Sequence, residues 1–531
     1  MRRDSFLGGA LILALAGLIS RVLGAIYRIP LSRLIGDEGI GLFQMAYPIY
    51  TIILVFSTAG VPVALSKLLS EKLAVQDRQG ASRVFSLSMW ILGLFGFFFS
   101  LVFLAGADLA SRAMGNPKAY YSMVAIAPAV FVVSIMSGYR GFFQGIQQMR
   151  PTAVSQIVEQ IVRVMTMFLL AYWFLPWGVE YAAAGATFGA VTGALAGLAY
   201  LYVVYIRTLP AYYQLPDGGS SAKEKASQVL NRVLYLSIPI SLAGVVLPVM
   251  QLVDAVLVPG RLQQLGFSQA EATALFGQLT GMALPVVALP TIITDALAVS
   301  LVPVISEALA LNNLAQVRAR AATSIRVTML ITLPAVVGMY LLATQLSDLL
   351  YGTPEAGIPL ATLSAGALFL SLQRTTSGIL QGLGETNIPV KNLVFGAVWK
   401  LGLTWVLTGS AVWGIKGAAL ATVIGFLLAS SLNLLAVLTR LGPILHLVDM
   451  VVKPTISVVV MALSVKGAYL YFLAKTASSH LATLAAVMIG ALVYFLVLLI
   501  IGGLTVADFE LLPRLGPRLG QFFKRIGLLR E

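Results

Sequence analysis

About fourteen stretches of roughly twenty apolar residues each run through this 531-residue chain, and they leave it few folds to choose from. A helix needs about 20 apolar residues to cross a bilayer, and in lipid every peptide group must find its hydrogen bond within the protein. The spans read at 6–27, 41–66, 84–106, 120–143, 154–175 and 181–206, then at 232–257, 275–303, 323–346, 358–380, 391–411, 416–438, 453–474 and 482–503. Composition agrees: 59% of residues are hydrophobic and 11% charged. A soluble domain of this length would lack the charge to dissolve its surface, so the excess apolar surface faces lipid. The expected fold class is an all-α polytopic membrane protein.

Lysine and arginine test the map. With both termini inside, about 24 of the 35 basic residues fall in cytoplasmic segments and about 7 in outside loops. The remaining four, Arg21, Arg163, Lys400 and Lys466, lie inside spans and away from their ends. The net charge of +14 is accounted for by this bias and by anionic lipid, so no nucleic-acid partner is expected. Arg2-Arg3, the apolar run after it and Ala14-Leu15-Ala16 have the outline of a signal peptide. Cleavage there would remove half of a span that the topology needs, so the stretch is expected to be kept. The placement predicted is a bacterial cytoplasmic membrane.

The chain also repeats itself. Ser70-Glu71-x-Leu73-Ala74 recurs 236 residues later as Ser306-Glu307-x-Leu309-Ala310, and the same offset pairs Thr58 with Thr294, Trp177-Gly178 with Trp413-Gly414 and Gly189 with Gly425. An offset of 237 pairs Gly115-x-Pro117 with Gly352-x-Pro354 and Gln144-Gly145 with Gln381-Gly382. A unit of six spans is even, so both copies enter the membrane in the same direction. These are parallel repeats of the kind found in transporters, with a site expected between them. The predicted organisation is a six-helix repeat at 1–206, a cytoplasmic linker at 207–231, a second repeat at 232–440, two added helices at 441–505 and a tail at 506–531. In that tail Phe522, Phe523, Ile526, Leu528 and Leu529 alternate with basic residues at helical spacing, as in a helix lying on the inner leaflet.

Ionisable groups at membrane depth are costly and usually face a cavity or a partner. Arg21 sits deep in the first span with no acid one turn away, and Arg28 lies near the outer end of that span. Glu159 and Arg163, four residues apart, meet on one face of the fifth span, either as a self-neutralising pair or as part of a substrate site. Lys400 lies in the eleventh span, and Gln373 and Arg374 lie in the tenth, where Arg374 would also serve as an anchor at the cytoplasmic end. The acids at similar depth are Glu159, Asp254 and Asp295, the last two being candidate charge partners or gating groups. Arg21, Arg28, Arg163 and Lys400 outweigh them, which favours an anionic load, and arginine forks suit phosphate. Prolines 30, 48, 62, 239, 248, 285, 290 and 303 cluster in spans one, two, seven and eight, where they loosen the helix ladder for bending.

Ser20-Arg21-Val22-Leu23-Gly24, Tyr27-Arg28-Ile29-Pro30-Leu31-x-Arg33-Leu34-Ile35-Gly36, Gly39-Ile40-Gly41-Leu42-Phe43-Gln44-Met45-Ala46-Tyr47-Pro48 and Ser57-Thr58-Ala59-Gly60-Val61-Pro62 together resemble a known group. They are similar to the multidrug/oligosaccharidyl-lipid/polysaccharide exporter superfamily. With Tyr139-Arg140-Gly141-x-x-Gln144-Gly145 and Gln278-Leu279-Thr280-Gly281-Met282 the resemblance is to the stage V sporulation protein B branch of Firmicutes, related to MurJ-type lipid II flippases. It covers essentially the whole chain. It implies a MATE/MurJ-like fold and a non-enzymatic flippase for undecaprenyl-pyrophosphate-linked sugars.

In MurJ-type relatives, arginines of the first helix line the cavity and hold pyrophosphate; the matching positions are Arg21 and Arg28, the latter one residue later than in the MurJ pattern. A further arginine of the second helix has no counterpart, since Tyr47, Tyr50 and Thr51 occupy that region. Gln44 and Tyr47 join the candidate substrate site on this ground. Some relatives bind sodium through acids on helices 7 and 11, where this chain has Asp254 on the former and Asn392 and Lys400 on the latter. No cofactor is expected, and Na+ or H+ coupling has no support in these residues.

An ion-coupled drug exporter of the same fold is the alternative, and the sign of the embedded charge separates the two. A membrane glycan polymerase or ligase would need paired acids, a histidine or a metal at the surface. Cysteine is absent, and His446 and His480 are far apart. The outside loop 258–273 offers only Arg261 and Glu271. The partners expected are a lipid-linked glycan and membrane lipid, with the protein acting as a monomer.

Overall fold

The computed structural model describes residues 12, 13, 16, 17, 19, 20, 23, 24, 26–58, 60–213 and 226–504. Arg21, the Arg2-Arg3 leader, the middle of the linker and the tail 506–531 lie outside the described residues. The rest is helical, with no strand among the described residues. In chain order the helices are α1 (Arg28–Thr58), α2 (Val61–Ala74), α3 (Arg78–Ala113), α4 (Ala119–Gly145), α5 (Met149–Phe174), α6 (Val179–Tyr213), α7 (Ala226–Gln264) and α8 (Gln269–Gly277). They continue as α9 (Thr291–Ala310), α10 (Leu314–Leu341), α11 (Gly357–Gly382), α12 (Asn387–Thr408), α13 (Gly414–Leu441), α14 (Lys453–Thr476) and α15 (Ser479–Ile500). Among the described residues twelve segments are long and apolar enough to cross a membrane, one of them joining α1 and α2. The 39-residue α7 occupies the seventh expected span, and the first span falls mostly outside the described residues.

The chain divides into two compact units between Gly277 and Gln278. In the first, α7 packs against α1, α2 and α3, and α8 packs against α1. Hydrophobic burial cannot by itself bind helices together in lipid, so close packing and polar contacts must do so. The repeat shows this in atomic detail. In the first unit Ser70 Oγ donates to the Gly145 carbonyl at 2.7 Å; in the second, Ser306 Oγ donates to the Gly382 carbonyl at 3.0 Å. A Cβ on Gly145 would lie 2.7 Å from Leu69 Cδ2, and one on Gly382 would lie 2.8 Å from Ile305 Cβ. The residues that recur in sequence therefore make the same helix crossing twice, once in each unit. Outside the repeat, α14 and α15 pair with each other, and the Tyr494 hydroxyl on α15 donates to the Leu330 carbonyl of α10 at 2.8 Å.

Two spans differ from the sequence expectation. The second is not one helix over 41–66. α1 starts at Arg28, turns at Gly36 with φ 70°, and ends at Thr58; Gly60, with φ 66°, then separates it from α2. Both angles lie in the left-handed region that a side chain would strain. The eighth span, expected as one helix over 275–303, is divided by a π-helical turn at Gln278–Ala283, and it restarts at Thr291 after Pro290. Pro285 and Pro290 each remove a ladder N–H from this stretch.

A reciprocal capping box opens α8: Glu271 accepts from the Ser268 amide at 2.8 Å while Ser268 Oγ accepts from the Glu271 amide at 3.2 Å. Hydrogen bonding from the Ser268 side chain and from its backbone amide holds the Glu271 carboxyl below its ordinary pKa. The cap fixes the end of the unit where α8 meets α1. There Gly41 of α1 lies against the Thr273 backbone, and Gly277 of α8 against the Asp37 carbonyl, both too close to admit a Cβ. Asn116 Nδ2 donates to Thr273 Oγ1 at 2.8 Å, and Gln263 and Gln269 both donate to the Gly115 carbonyl, at 3.0 and 2.8 Å.

Candidate functional site

Two arginines of the first unit converge on Glu159. On α5 it lies one turn before Arg163, and the two form an ion pair through Arg163 Nη2. The second carboxylate oxygen accepts from Arg140 Nη2 of α4 at 2.8 Å, while Arg140 Nε donates to Ser155 Oγ at 3.0 Å. All three charged side chains are largely buried. One carboxylate thus serves two guanidinium groups, so Glu159 and Arg163 are not a self-neutralising pair. Arg163 Nε is buried with no hydrogen-bond partner among the described residues.

The glycine face of α6 sets where these groups point. A Cβ on Gly193 would lie 2.6 Å from the Glu159 carbonyl and 2.8 Å from Arg163 Cβ; one on Gly189 would lie 2.7 Å from the Arg163 carbonyl. The α5 and α6 backbones are therefore in direct contact behind the charged pair. Gly193→Leu should drive α5 off α6 and lower thermal stability by about 1–3 kcal/mol, the usual cost of overpacking. An unchanged melting temperature in detergent would show that the contact is soft.

From Arg163 the site continues to α1. Tyr47, Tyr50 and Tyr27 lie within electrostatic reach of Arg163, and Tyr47 is also within reach of Arg28. The Tyr47 ring lies tilted at 4.9 Å from Phe43 and edge-on at 6.0 Å from Tyr50, and Gln44 sits half-buried one turn before it. Gly24, four residues before Arg28 in the chain, faces Gln160 of α5. Among the described residues Arg28 forms no ion pair. Arg28, Arg140 and Arg163 against Glu159 leave this site two positive charges in excess.

The other sequence candidates lie elsewhere. In the second unit Asp295 of α9 pairs with Arg374 of α11 at 3.4 Å, so Arg374 is an ion-pair partner and not merely a terminal anchor. Asp254 is half-buried in the last third of α7. Lys400 of α12 is 6% exposed, with Gly425 of α13 packed on its stem. Thr404 and Thr408 follow Lys400 on the same helix face, their hydroxyls buried without partners among the described residues. Among the described residues no group of three or more His, Asp or Glu is placed to hold a metal ion.

Arg140 is the site residue that the sequence does not single out, because its place near the cytoplasmic end of the fourth span is one that basic residues commonly occupy. The offset of 237 pairs Arg163 with Lys400, Glu159 with Gly396 and Arg140 with Ser377. In the second unit the groups around Ser377 are neutral: Asn392 Nδ2 donates to Asn433 Oδ1 at 2.9 Å, and Asn433 Nδ2 and Gln373 Nε2 donate to Ser377 Oγ at 3.1 and 3.2 Å. Gly396, at the position of Glu159, has no carboxylate for two cations to share.

Residues 6–309 match the family model for polysaccharide biosynthesis proteins, and residues 279–406 match the MatE model. Stage V sporulation protein B of Bacillus subtilis (strain 168) is 31% identical over 436 residues, covering 82% of this chain and 83% of that protein. Lipid II flippase MurJ of the same organism is 29% identical over 444 residues, 80% of this chain and 81% of that one. A solved structure of lipid II flippase MurJ in an inward closed conformation superposes with a TM-score of 0.68 at 16% identity, covering 92% of this chain and 98% of that one, a likeness of fold. The family match over more than half of the sequence and the identity with the sporulation protein show that this chain belongs to the polysaccharide biosynthesis protein family, a multi-pass membrane branch of the multidrug/oligosaccharidyl-lipid/polysaccharide exporter superfamily.

Proposed function

We propose that the protein is a flippase that carries an undecaprenyl-pyrophosphate-linked glycan from the inner to the outer leaflet by alternating access, with both termini cytoplasmic. The observation that carries this reading is the two-charge positive excess of the Arg28–Arg140–Arg163 cluster, which suits a phosphate-bearing headgroup and disfavours an organic cation. Arg28 and Arg163 grip the pyrophosphate, joined by Arg21 at the position that matches the relatives' first-helix arginine. Tyr47 and Gln44 contribute neutral hydrogen bonds. Lys400, which the repeat pairs with Arg163, offers a second cationic contact within its own unit. The similarity to a protein named a lipid II flippase supports the substrate class.

No bound cation is required to drive the load. An inside-negative potential favours outward movement by about 2.3 kcal/mol per negative charge per 100 mV. Release on the outer side requires α1 and α8 to part at Gly41, Thr273 and Gly277. The test is complementation of a strain depleted of its lipid II flippases, scored for lipid II in the outer leaflet, beside reconstituted vesicles offered an organic cation. Lipid II movement without cation transport supports the flippase. Cation export without lipid movement returns the drug-exporter reading.

A further inference from the structure

We infer that the membrane-facing side of α3 carries a docking site for an anionic phospholipid, separate from the arginine cluster. Two adjoining concavities in the first unit make this site. The first, of about 360 Å³, is lined by Arg78, Gln79, Ser82, Arg83 and Ser86 in the opening turns of α3. The second, of about 720 Å³, begins one residue further on; Trp90, Leu94 and Phe97 of α3, Phe131 and Ile135 of α4 and Leu230 of α7 form it. Trp90, Leu94 and Phe97 are 76%, 64% and 54% exposed. Gln79, Arg83, Ser86, Trp90, Leu94 and Phe97 recur every three or four residues, so one helix face passes from basic and polar to wholly apolar.

The dimensions fit one leaflet. From Leu87 to Phe97 the groove runs about 15 Å along the helix, half of the roughly 30 Å hydrocarbon core. α3 has 36 residues, about 54 Å of helix, so its opening turns extend past the hydrocarbon to headgroup level. The basic pocket therefore sits where a phosphate lies, and the apolar groove where its acyl chain descends.

Charge complementarity selects an anionic head. The nearby acids are engaged: Asp77 pairs with Lys72 at 3.0 Å, and Glu71 with Arg232 at 2.8 Å. Arg83 has no carboxylate partner among the described residues. A guanidinium at a membrane surface attracts anionic lipid and can present two donors to a phosphate. A groove one leaflet deep suits an ordinary acyl chain better than a long polyprenyl tail.

The full-length protein, purified in detergent and titrated with phosphatidylglycerol or phosphatidylcholine, can be read by native mass spectrometry. Phosphatidylglycerol should be retained over phosphatidylcholine, and Arg83→Ala should weaken its binding about fivefold without affecting phosphatidylcholine. Gly93→Trp should reduce retention of phosphatidylglycerol by filling the groove, since a Cβ at that position meets nothing within 4 Å. Gly93→Leu, a smaller change into the same open space, serves if the tryptophan variant folds poorly, and melting temperatures identify variants that are folded. Equal retention of the two lipids would overturn the assignment, as would a folded Gly93 variant that binds phosphatidylglycerol normally. Displacement of phosphatidylglycerol by an equal concentration of undecaprenyl phosphate would also overturn it, in favour of the carrier lipid.

Discussion

Arg28→Ala should reduce flipping of a pyrophosphate-linked lipid in reconstituted vesicles by roughly 10- to 100-fold, the value of a hydrogen bond to a charged group, while leaving the melting temperature nearly unchanged. The two effects separate because Arg28 holds no acid that its loss would strand; among the described residues it forms no ion pair. Its neighbours in the site are the neutral Tyr47 and, beyond that ring, Arg163. Removing one positive charge from such a cluster relieves repulsion between like charges, so the fold has nothing to lose electrostatically. Arg28→Lys should recover part of the activity, because a lysine keeps the charge but not the two-pronged donor geometry. Normal transport by the alanine variant would sink the headgroup reading. A large fall in melting temperature would show that Arg28 is structural.

Glu159→Ala should behave in the opposite way. Arg140 and Arg163 would be left largely buried and facing each other with no carboxylate, and losing one partner of a buried ion pair costs about 3–5 kcal/mol. The measurable outcome is a strongly lowered detergent melting temperature and poor recovery from the membrane, with transport lost as a consequence. Glu159→Gln should cost less, because the amide oxygen can still accept from one guanidinium. Adding Arg140→Gln to Glu159→Gln should restore stability beyond the single variant, since it removes one of the two stranded charges. If Glu159→Ala melts like the parent protein, water reaches both arginines and the buried triad is not what holds α4 to α5.

Much of the fold is legible because a membrane helix is decided locally. Its backbone bonds close within four residues, and its side chains need only be apolar enough for lipid. The segment 84–106, for example, falls within α3, and 482–503 largely coincides with α15. The breaks were less legible. Gly60 and Pro290 are visible as residues, but apolar content continues through both, and a hydropathy window does not register a left-handed turn. The Glu159–Arg163 contact was readable because four-residue spacing fixes it on one helix. Arg140 was not, because it arrives from another helix, 19 residues earlier in the chain, and its approach depends on how α4 lies against α5.

By itself, then, the sequence determined the all-helical membrane class, the duplicated six-span unit and the superfamily. Each of these rests on short-range pattern or on residues that recur at a constant offset. The tertiary structure decided that Glu159 is shared, so that a pair that could have cancelled is part of a positive site instead. It also decided that Asp295 goes to Arg374, and that the second copy meets the same helix crossings with a neutral network around Ser377 and Asn433. The physical reason is common to all three. A residue's charge is written in the chain, but its neighbours are set by which helix faces the glycines allow to approach, and in lipid that is a matter of packing between distant segments.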